Sequence, residues 1–305
     1  MNAHSKRLLH LAGTLISLIL IAYLVSRFVQ MRQAVAIQLH GGLPWATMAM
    51  ASAACLLAYL PISMAWALLT SPGKVLKRFP VSVKIVMLSQ AARYLPGNVG
   101  HLVGRVMLTK RHMGVGAAHG SALMTIELLL SLVCAALLST AAIPALAVFA
   151  PSWLAQFLVR PYIVVCAICL AVAAIIGLLI ASQRRLKLKL PAPSTVLATC
   201  VFYAAALIVG GVALWLLLGK QHVHAISPSL ALLAYTTSWL AGFVTPGAPS
   251  GLGVREFILV QLLAPTIGEP EALLAAALLR LCSVMADAVA FGIGLLLTRL
   301  FRRGI

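Results

Sequence analysis

The chain has 305 residues, of which 62% are hydrophobic and 9% are charged, and its mean hydropathy is +1.06. A soluble domain is nearer half apolar and a quarter charged, so the composition excludes a soluble protein and predicts an all-α, polytopic membrane protein. The 23 Lys and Arg against 5 Asp and Glu give a formal charge of +18. Because the basic residues crowd the ends of apolar segments, the positive-inside bias explains them, and we expect no nucleic-acid partner.

Six apolar runs are long enough to cross the membrane once each. In chain order they are 8–29, 44–70, 119–149, 157–182, 194–219 and 271–298. Each has about 22–31 residues, which suffices for a hydrocarbon core near 30 Å. The first run is longer than the core of a signal peptide and lacks an obvious small-residue cleavage site at its end, so we interpret it as an uncleaved first helix.

Two further apolar regions, 81–110 and 228–264, are interrupted near the middle by related motifs. The first motif is Pro96–Arg105 (PGNVGHLVGR) and the second is Pro246–Arg255 (PGAPSGLGVR). Proline and glycine both interrupt helices, and the remaining halves of about 11–18 residues suggest hairpins rather than single spans. We therefore predict two re-entrant broken-helix hairpins, which are typical of binding sites in membrane transporters.

The distribution of charge predicts how the hairpins are oriented. With both termini in the cytoplasm, six crossings and each hairpin returning to its own side, fifteen Lys and Arg lie on the cytoplasmic side and four lie outside. Such a bias is a strong topology signal. The first hairpin then enters from the cytoplasm and the second from outside. Residues 44–149 and 194–301 accordingly form an inverted-topology repeat within a single transmembrane domain, 1–305, with 8–29 and 157–182 as additional spans.

Seven charged residues fall at intramembrane positions. They are four arginines and three carboxylates: Arg93, Arg105, Arg255, Arg280, Glu127, Glu256 and Asp287. A charge at the bilayer centre costs about 3 kcal/mol on insertion scales, so these groups must face one another, water or a substrate. One arginine is in excess, and its natural partner is an anion such as a lipid phosphate, which a guanidinium binds through two hydrogen bonds.

The interruptions themselves predict further features of the site. The half-helices that follow them begin near Val99 and Gly251, and the free N–H groups at a helix start attract anions. Glycines would let a headgroup or a neighbouring backbone approach closely. The glycines in question are Gly100, Gly104, Gly251 and Gly253.

Structural explanations stay open for several of these residues. The glycines can serve helix packing alone. Arg105 can lie at the cytoplasmic surface, since Lys110 is only five residues away. Arg280 and Asp287 lie seven residues apart on one helix face and can form a structural pair, whereas Glu127 can pair with Arg280 across the repeats.

The interrupted motifs and their neighbours resemble a known family. The segments RYLPG at Arg93–Gly97, IELL at Ile126–Leu129, GLGVRE at Gly251–Glu256 and LRL at Leu279–Leu281 are similar to the lysylphosphatidylglycerol synthase transmembrane region family, over nearly the whole chain. The resemblance implies lipid translocation or lipid handling in a bacterial inner membrane. It implies the following substrate-binding residues: Arg105, Glu127, Arg255, Glu256 and Arg280. Four glycines complete the predicted set: Gly97, Gly100, Gly251 and Gly253.

The chain departs from the family in two ways. The soluble aminoacyl-transferase domain of the full synthases is missing, so we expect a stand-alone member and infer no aminoacyl transfer. Pro249 is an additional proline in the second interruption.

The leading prediction is a flippase that moves a polar or anionic phospholipid, or a lipid-linked headgroup, between leaflets, without being an enzyme. The alternatives are a membrane-embedded lipid-modifying transferase, or a non-catalytic partner subunit of one; the resemblance associates some members with hopanoid or lipid-linked sugar pathways. A transferase needs a nucleophile, metal or general base, and its candidates are Glu127, Glu256 and His101. We expect no metal and no cofactor. A homo-oligomer or a partner lipid-modifying enzyme stays open.

Overall fold

The computed structural model describes residues 3–38, 43–94, 100–140, 191–218, 226–245 and 247–303. These residues form eleven α-helices, and the predicted all-α fold is confirmed. In chain order the helices are α1 (Ala3–Gln30), α2 (Arg32–Gln38), α3 (Trp45–Leu57), α4 (Tyr59–Thr70), α5 (Val75–Gln90), α6 (Gly100–Met113), α7 (Ala117–Thr140), α8 (Pro193–Leu218), α9 (Pro228–Val244), α10 (Val254–Ile267) and α11 (Glu269–Arg303). Short 3-10 turns occur at Pro72–Lys74, Ala91–Tyr94 and Pro249–Gly251.

Five of the described helical stretches are long and apolar enough to cross a membrane, so the chain is a multi-pass membrane protein. They are Leu11–Gln30, Trp45–Thr70, Ala117–Ser139, Pro193–Leu218 and Glu269–Leu300. Their positions agree with five of the six predicted spans. The sixth, 157–182, and the end of the third, 141–149, lie outside the described residues.

The second of these stretches contains a kink. Helix α3 ends at Leu57 and α4 begins at Tyr59. Pro61, in the first turn of α4, has no N–H to donate to the Leu57 carbonyl, and its ring would collide with that carbonyl in a continuous helix. The helix therefore breaks at Ala58, and the residue that follows, Tyr59, is buried in the interior.

Both hairpin regions consist of two helices, as the motifs predict. In the first, α5 and the turn at Ala91–Tyr94 precede the break, and α6 begins at Gly100, next to the predicted start at Val99. Of this motif the structure describes Gly100–Arg105; Gly97 lies outside the described residues. The re-entrant course of the hairpins through the membrane stays a prediction.

The second break is longer than the sequence predicts. Helix α10 begins at Val254 rather than near Gly251, which corrects the predicted start by three residues. The physical reason is the backbone: Ser250, Gly251 and Gly253 have φ values of +53°, +68° and +85°, which a right-handed helix does not allow. Arg255 is consequently the second residue of α10 rather than lying a full turn inside it.

The two halves of the chain make corresponding contacts. Helices α4, α5, α6 and α7 pack on one another in sequence, and α8, α9, α10 and α11 do the same. Contacts between the halves also correspond. Helix α5 packs on α11, and its counterpart α9 packs on α7. Helix α3 packs on α11, its counterpart α8 packs on α7, and α4 packs on α8. Exchanging the halves leaves this pattern unchanged. Their opposite orientation in the membrane and the cytoplasmic position of both termini stay predictions.

Helix α1 lies outside the two halves and packs on α10 at the second break. Thr14 Oγ1 donates a hydrogen bond to the Gly247 carbonyl at 3.1 Å, and the Ser17 hydroxyl donates to the Leu252 carbonyl. Leu15 and Leu18, elsewhere on the helix, are well exposed and suit contact with lipid chains. The polar side of α1 thus satisfies carbonyls that the interrupted helix leaves without intrahelical donors.

Candidate functional site

A cavity of about 150 Å³ lies between the two breaks and is lined by side chains from both halves. Six of the seven intramembrane charges line it: Arg93, Arg105, Arg255, Arg280, Glu127 and Asp287. The seventh, Glu256, lines a smaller adjoining pocket together with Arg255 and Arg280. Residues that the sequence shows only as scattered charges therefore meet in one place.

Asp287, on α11, is the centre of one polar cluster. Its carboxylate is buried and accepts hydrogen bonds from Tyr94, at 2.6 Å, and from Tyr59. Arg93 Nη1 lies 3.6 Å from Asp287 Oδ2. The structural pair between Asp287 and Arg280 that the sequence left open is therefore wrong, since Asp287 is held by groups from α4 and from the turn before the first break.

Arg105 and Glu127 form a second buried ion pair. The guanidinium of Arg105, on α6, donates to the Glu127 carboxylate on α7. Arg105 is only 3% exposed and Glu127 only 4%, so Arg105 faces the cavity and not the surface. The Arg105 guanidinium also lies 5.8 Å from the centre of the Trp66 ring, a favourable cation–π distance. Glu127 therefore pairs within its own half, and the proposed cross-repeat pairing with Arg280 is wrong.

Arg280 pairs with Glu256 instead. Its Nη1 lies 3.5 Å from Glu256 Oε1 and donates to the Ser250 carbonyl at 3.3 Å. Glu256 Oε2 in turn accepts from the Gly253 N–H at 2.7 Å, so this carboxylate caps the start of α10. The Nη2 group of Arg280 is buried and has no hydrogen-bond partner among the described residues. One donor of Arg280 is therefore left for a ligand.

Arg255 is the cavity arginine that has no carboxylate within ion-pair distance in the described part of the chain. Its guanidinium lies 5.8 Å from the centre of the Tyr235 ring. The positive charge that the sequence predicts to be in excess is therefore that of Arg255. Because the aromatic ring contributes only part of a counterion's stabilisation, Arg255 remains the natural binding group for an external anion.

Two glycines make room for the Arg255 side chain. A Cβ on Gly242 would lie 2.2 Å from Arg255 Cγ, and one on Gly251 would lie 3.0 Å from Arg255 Cδ and 2.8 Å from the Gly242 Cα. A third glycine, Gly210 on α8, accommodates the ring of Tyr235, which a Cβ there would approach to 2.2 Å. Gly242 and Gly251 thus leave room for the Arg255 side chain, and Gly210 leaves room for the aromatic ring beside it.

The structure separates the predicted glycines by role. Gly251 lines a side pocket of about 70 Å³ together with Arg93, His101 and Arg255. Gly253 packs instead against α1, where a Cβ would lie 2.8 Å from the Ser17 carbonyl, so it allows a neighbouring backbone to approach. Gly100 is the first residue of α6, and Gly104 has open space beside its Cα.

Several cavity residues were not in the predicted site. For Arg93 and Asp287, the sequence signal was a charged residue at an intramembrane position. Tyr59, Tyr94 and Tyr235 carry no sequence signal of this kind, since a tyrosine in an apolar helix is ordinary. His101 was considered only as a general base, yet it is buried, lines both the cavity and the side pocket, and leaves Nδ1 without a partner among the described residues.

The side pocket also has an aromatic wall. Trp239 and Phe243 are one helical turn apart on α9, and their rings stack with centroids 5.1 Å apart and an interplanar angle of 15°. Both residues line the main cavity and the side pocket. The site therefore combines an apolar face with arginine donors, which suits an amphiphile with a compact charged group.

These features define a class: a multi-pass α-helical membrane protein in which two interrupted helix pairs enclose a buried, arginine-rich cavity. The family described as the lysylphosphatidylglycerol synthase TM region matches residues 10–290, and the chain belongs to this family. The resemblance seen in the sequence motifs is therefore confirmed. Membership relates the protein to lipid modification or lipid flipping. No curated protein matches the chain significantly.

Proposed function

We propose that the protein is a flippase, in a bacterial inner membrane, for a lipid whose headgroup carries a phosphate and no compensating amine. The observation that carries this proposal is Arg255. It lies between two broken helix pairs, lines the cavity, and has no carboxylate partner in the described part of the chain. An anionic headgroup would supply the missing charge, and the free Nη2 of Arg280 would supply a second donor.

The three carboxylates support an anionic rather than a cationic headgroup. Each of them is already engaged: Glu127 by Arg105, Glu256 by Arg280, and Asp287 by Arg93 and two tyrosines. An aminoacylated headgroup would bring ammonium groups into a cavity whose carboxylates are each already in an ion pair. Among the buried carboxylate oxygens of the described residues, Glu127 Oε2 is the one without a hydrogen-bond partner. Like charges brought together in a poorly solvated site repel each other strongly.

Broken helices also suit alternating access. Backbone that is not helical at membrane depth is tolerated where it is buried in protein or lines a wet cavity. In transporters built from repeats, the site lies between the repeats, and each broken pair can open towards one side. The corresponding contacts of the two halves support such a mechanism, in which the cavity exchanges its opening between leaflets.

The test is lipid translocation in proteoliposomes, using a fluorescent phosphatidylglycerol whose exposure to an external quencher is followed with time. We expect Arg255→Ala to lower the rate at least about tenfold, since a hydrogen bond to a charged group contributes about 1.5–3 kcal/mol. The translocation rate of Arg255→Lys should lie between those of the parent and Arg255→Ala, because lysine keeps the charge but cannot donate two hydrogen bonds to one phosphate as arginine does. Arg299→Ala removes an exposed arginine at the end of α11 and serves as the control.

Translocation by Arg255→Ala at the parent rate would contradict the proposal. Equal rates for phosphatidylglycerol and its lysyl ester would contradict the proposed preference for an anionic headgroup.

A membrane-embedded lipid-modifying transferase is the second candidate, and the buried imidazole of His101 is the observation that favours it. This group lines the cavity and has a ring nitrogen without a partner in the described part of the chain, as a general base requires. Lipid analysis of a deletion strain separates the two functions. Loss of a modified lipid indicates an enzyme or its partner subunit, whereas modified lipid retained in the inner leaflet indicates a flippase.

A further inference from the structure

His101 is a titratable residue that lines both the main cavity and the arginine-lined side pocket. It lies on α6, is 9% exposed, and has a buried Nδ1 with no hydrogen-bond partner among the described residues. It lines the main cavity with Arg93 and Arg105, and the side pocket with Arg93 and Arg255. Burial and neighbouring guanidinium groups both disfavour a charged imidazole while the cavity holds no anion.

The other charged groups near His101 are already committed. On the elements packed against α6, Glu127 pairs with Arg105, Arg93 and Tyr94 face Asp287, and Lys84 of α5 contacts His112 at 3.2 Å. The remaining titratable and charged groups that line the cavity are Cys55, Tyr59, Tyr203, Tyr235, Arg255, Arg280 and Asp287. Each carboxylate among these is already in an ion pair, and Glu127 Oε2 is a buried oxygen without a hydrogen-bond partner among the described residues.

We propose that His101 is a proton-binding site coupled to the anion site, so that its imidazole takes up one proton when an anionic headgroup enters the cavity and returns it when the headgroup leaves. His101 and Arg255 line the same side pocket, so an anion held by Arg255 lies within reach of the imidazole. Its negative charge opposes the repulsion from Arg93 and Arg105 and so favours the imidazolium form.

The coupling makes the proton and the headgroup move in the same direction. The proton comes from water on the side to which the cavity is open, binds at a ring nitrogen, and leaves to water when the headgroup is released; no other bond changes. Because proton and anion each favour binding of the other by the same factor, the affinity for the anion rises as the pH falls, by at most tenfold per pH unit. In a membrane that carries a proton gradient, the headgroup would then move together with a proton. This inference rests on the proposed function.

The test is isothermal titration calorimetry of the detergent-solubilised protein with dihexanoylphosphatidylglycerol, between pH 5.5 and 8.0. This probe is a soluble phosphodiester whose own charge does not change in that range. Titrations at one pH in two buffers that differ in ionisation enthalpy give the number of protons taken up on binding. We expect the parent to take up close to one proton per headgroup at the acidic end of the range and to lose affinity as the pH rises.

The variant His101→Gln keeps a polar side chain and removes the titrating group. It should still bind the probe, with proton uptake near zero and an affinity that hardly changes with pH. His119→Gln on α7, a histidine that does not line the cavity, should behave as the parent does. If His101→Gln does not fold, His101→Asn takes its place.

Each outcome is decisive. Binding by the parent without proton uptake, or uptake that persists in His101→Gln, would overturn the proton site while leaving the proposed function intact. Failure of the parent to bind the probe at any pH would instead contradict the anion site of the proposed function, and the proton site with it.

Discussion

Arg255 differs from the other three cavity arginines because no carboxylate compensates it in the described part of the chain. A charge placed in the membrane interior costs about 3 kcal/mol or more. For three of the arginines an ion pair offsets this cost. Arg93 pairs with Asp287, Arg105 with Glu127 and Arg280 with Glu256. For the fourth, Arg255, the described residues provide the ring of Tyr235, and under the proposed function an anionic headgroup supplies the missing counterion.

The Arg105–Glu127 pair provides a test of the residues that maintain the cavity. Removing one partner of a buried pair strands a charge and costs about 3–5 kcal/mol, whereas replacing both by apolar residues often costs less. We expect Arg105→Met and Glu127→Met each to lower the thermal unfolding midpoint in detergent by several degrees. The double variant should be more stable than either single variant.

If the pair is not formed, the two single effects will simply add in the double variant. That result would contradict the buried ion pair and the position of Arg105 in the cavity.

At this scale the sequence predicted which charged residues lie in the interior but not how they pair. Seven charges in apolar runs are visible without a structure, because each is costly there. Partner choice depends on long-range geometry. Arg280 and Asp287 lie on one helix, but seven residues correspond to about 10 Å along the axis, and the second break brings Glu256 closer to Arg280 than Asp287 is.

The elements that position Arg255 are the two helices joined at the second break. Gly242, on α9, faces Gly251 in the break, and the Arg255 side chain passes over both. A side chain at either glycine would meet the arginine. The interrupted region therefore does more than end a helix, because it also leaves space for the Arg255 side chain.

Gly242→Ala tests this positioning. The new Cβ would lie 2.2 Å from Arg255 Cγ, so the arginine must move. We expect affinity for dihexanoylphosphatidylglycerol, measured by calorimetry, to fall roughly tenfold, which corresponds to about 1.4 kcal/mol. Gly104→Ala is the matched control, since it lies in a helix with no atom within 4 Å of the added Cβ and gives the same gain in helix propensity. Equal affinities for Gly242→Ala and the parent would show that Arg255 does not hold the headgroup.

Helix α1 provides a second test at the scale of elements. Ser17 donates to the Leu252 carbonyl in the second break, and a net hydrogen bond contributes about 1 kcal/mol. We expect Ser17→Ala to accelerate amide hydrogen exchange over residues 247–253 about fivefold, measured by mass spectrometry. Ser26→Ala is the control, because the Ser26 hydroxyl donates within its own helix, to the Tyr23 carbonyl at 2.8 Å. Unchanged exchange in Ser17→Ala would mean that α1 does not support the break.

The helices themselves were largely predictable, because hydropathy and length define spans, and Pro-Gly motifs define breaks. The start of α10 was not. Three positive φ values at Ser250, Gly251 and Gly253 delay the helix to Val254, and a glycine-rich sequence does not specify which glycines adopt that conformation. The kink at Ala58 was visible in principle from Pro61, which stands inside a run interpreted as one span.

In the whole molecule, two halves with corresponding contacts enclose one cavity to which both contribute arginines. The sequence indicated two similar units from their motifs and spacing. It could not show that the breaks face the same space, because that depends on how α4 packs on α8 and how α5 and α9 pack on the last helix of the opposite half. The family relates the molecule to lipid handling, and the cavity charge suggests which lipids fit.

The most direct test of the central claim is an experimental structure of the protein in nanodiscs rich in phosphatidylglycerol. We predict an ordered phosphate within hydrogen-bonding distance of the Arg255 guanidinium, with Arg280 Nη2 as a second donor. Headgroup density found only at the membrane surface, with Arg255 directed away from the cavity or neutralised by a carboxylate, would contradict the account.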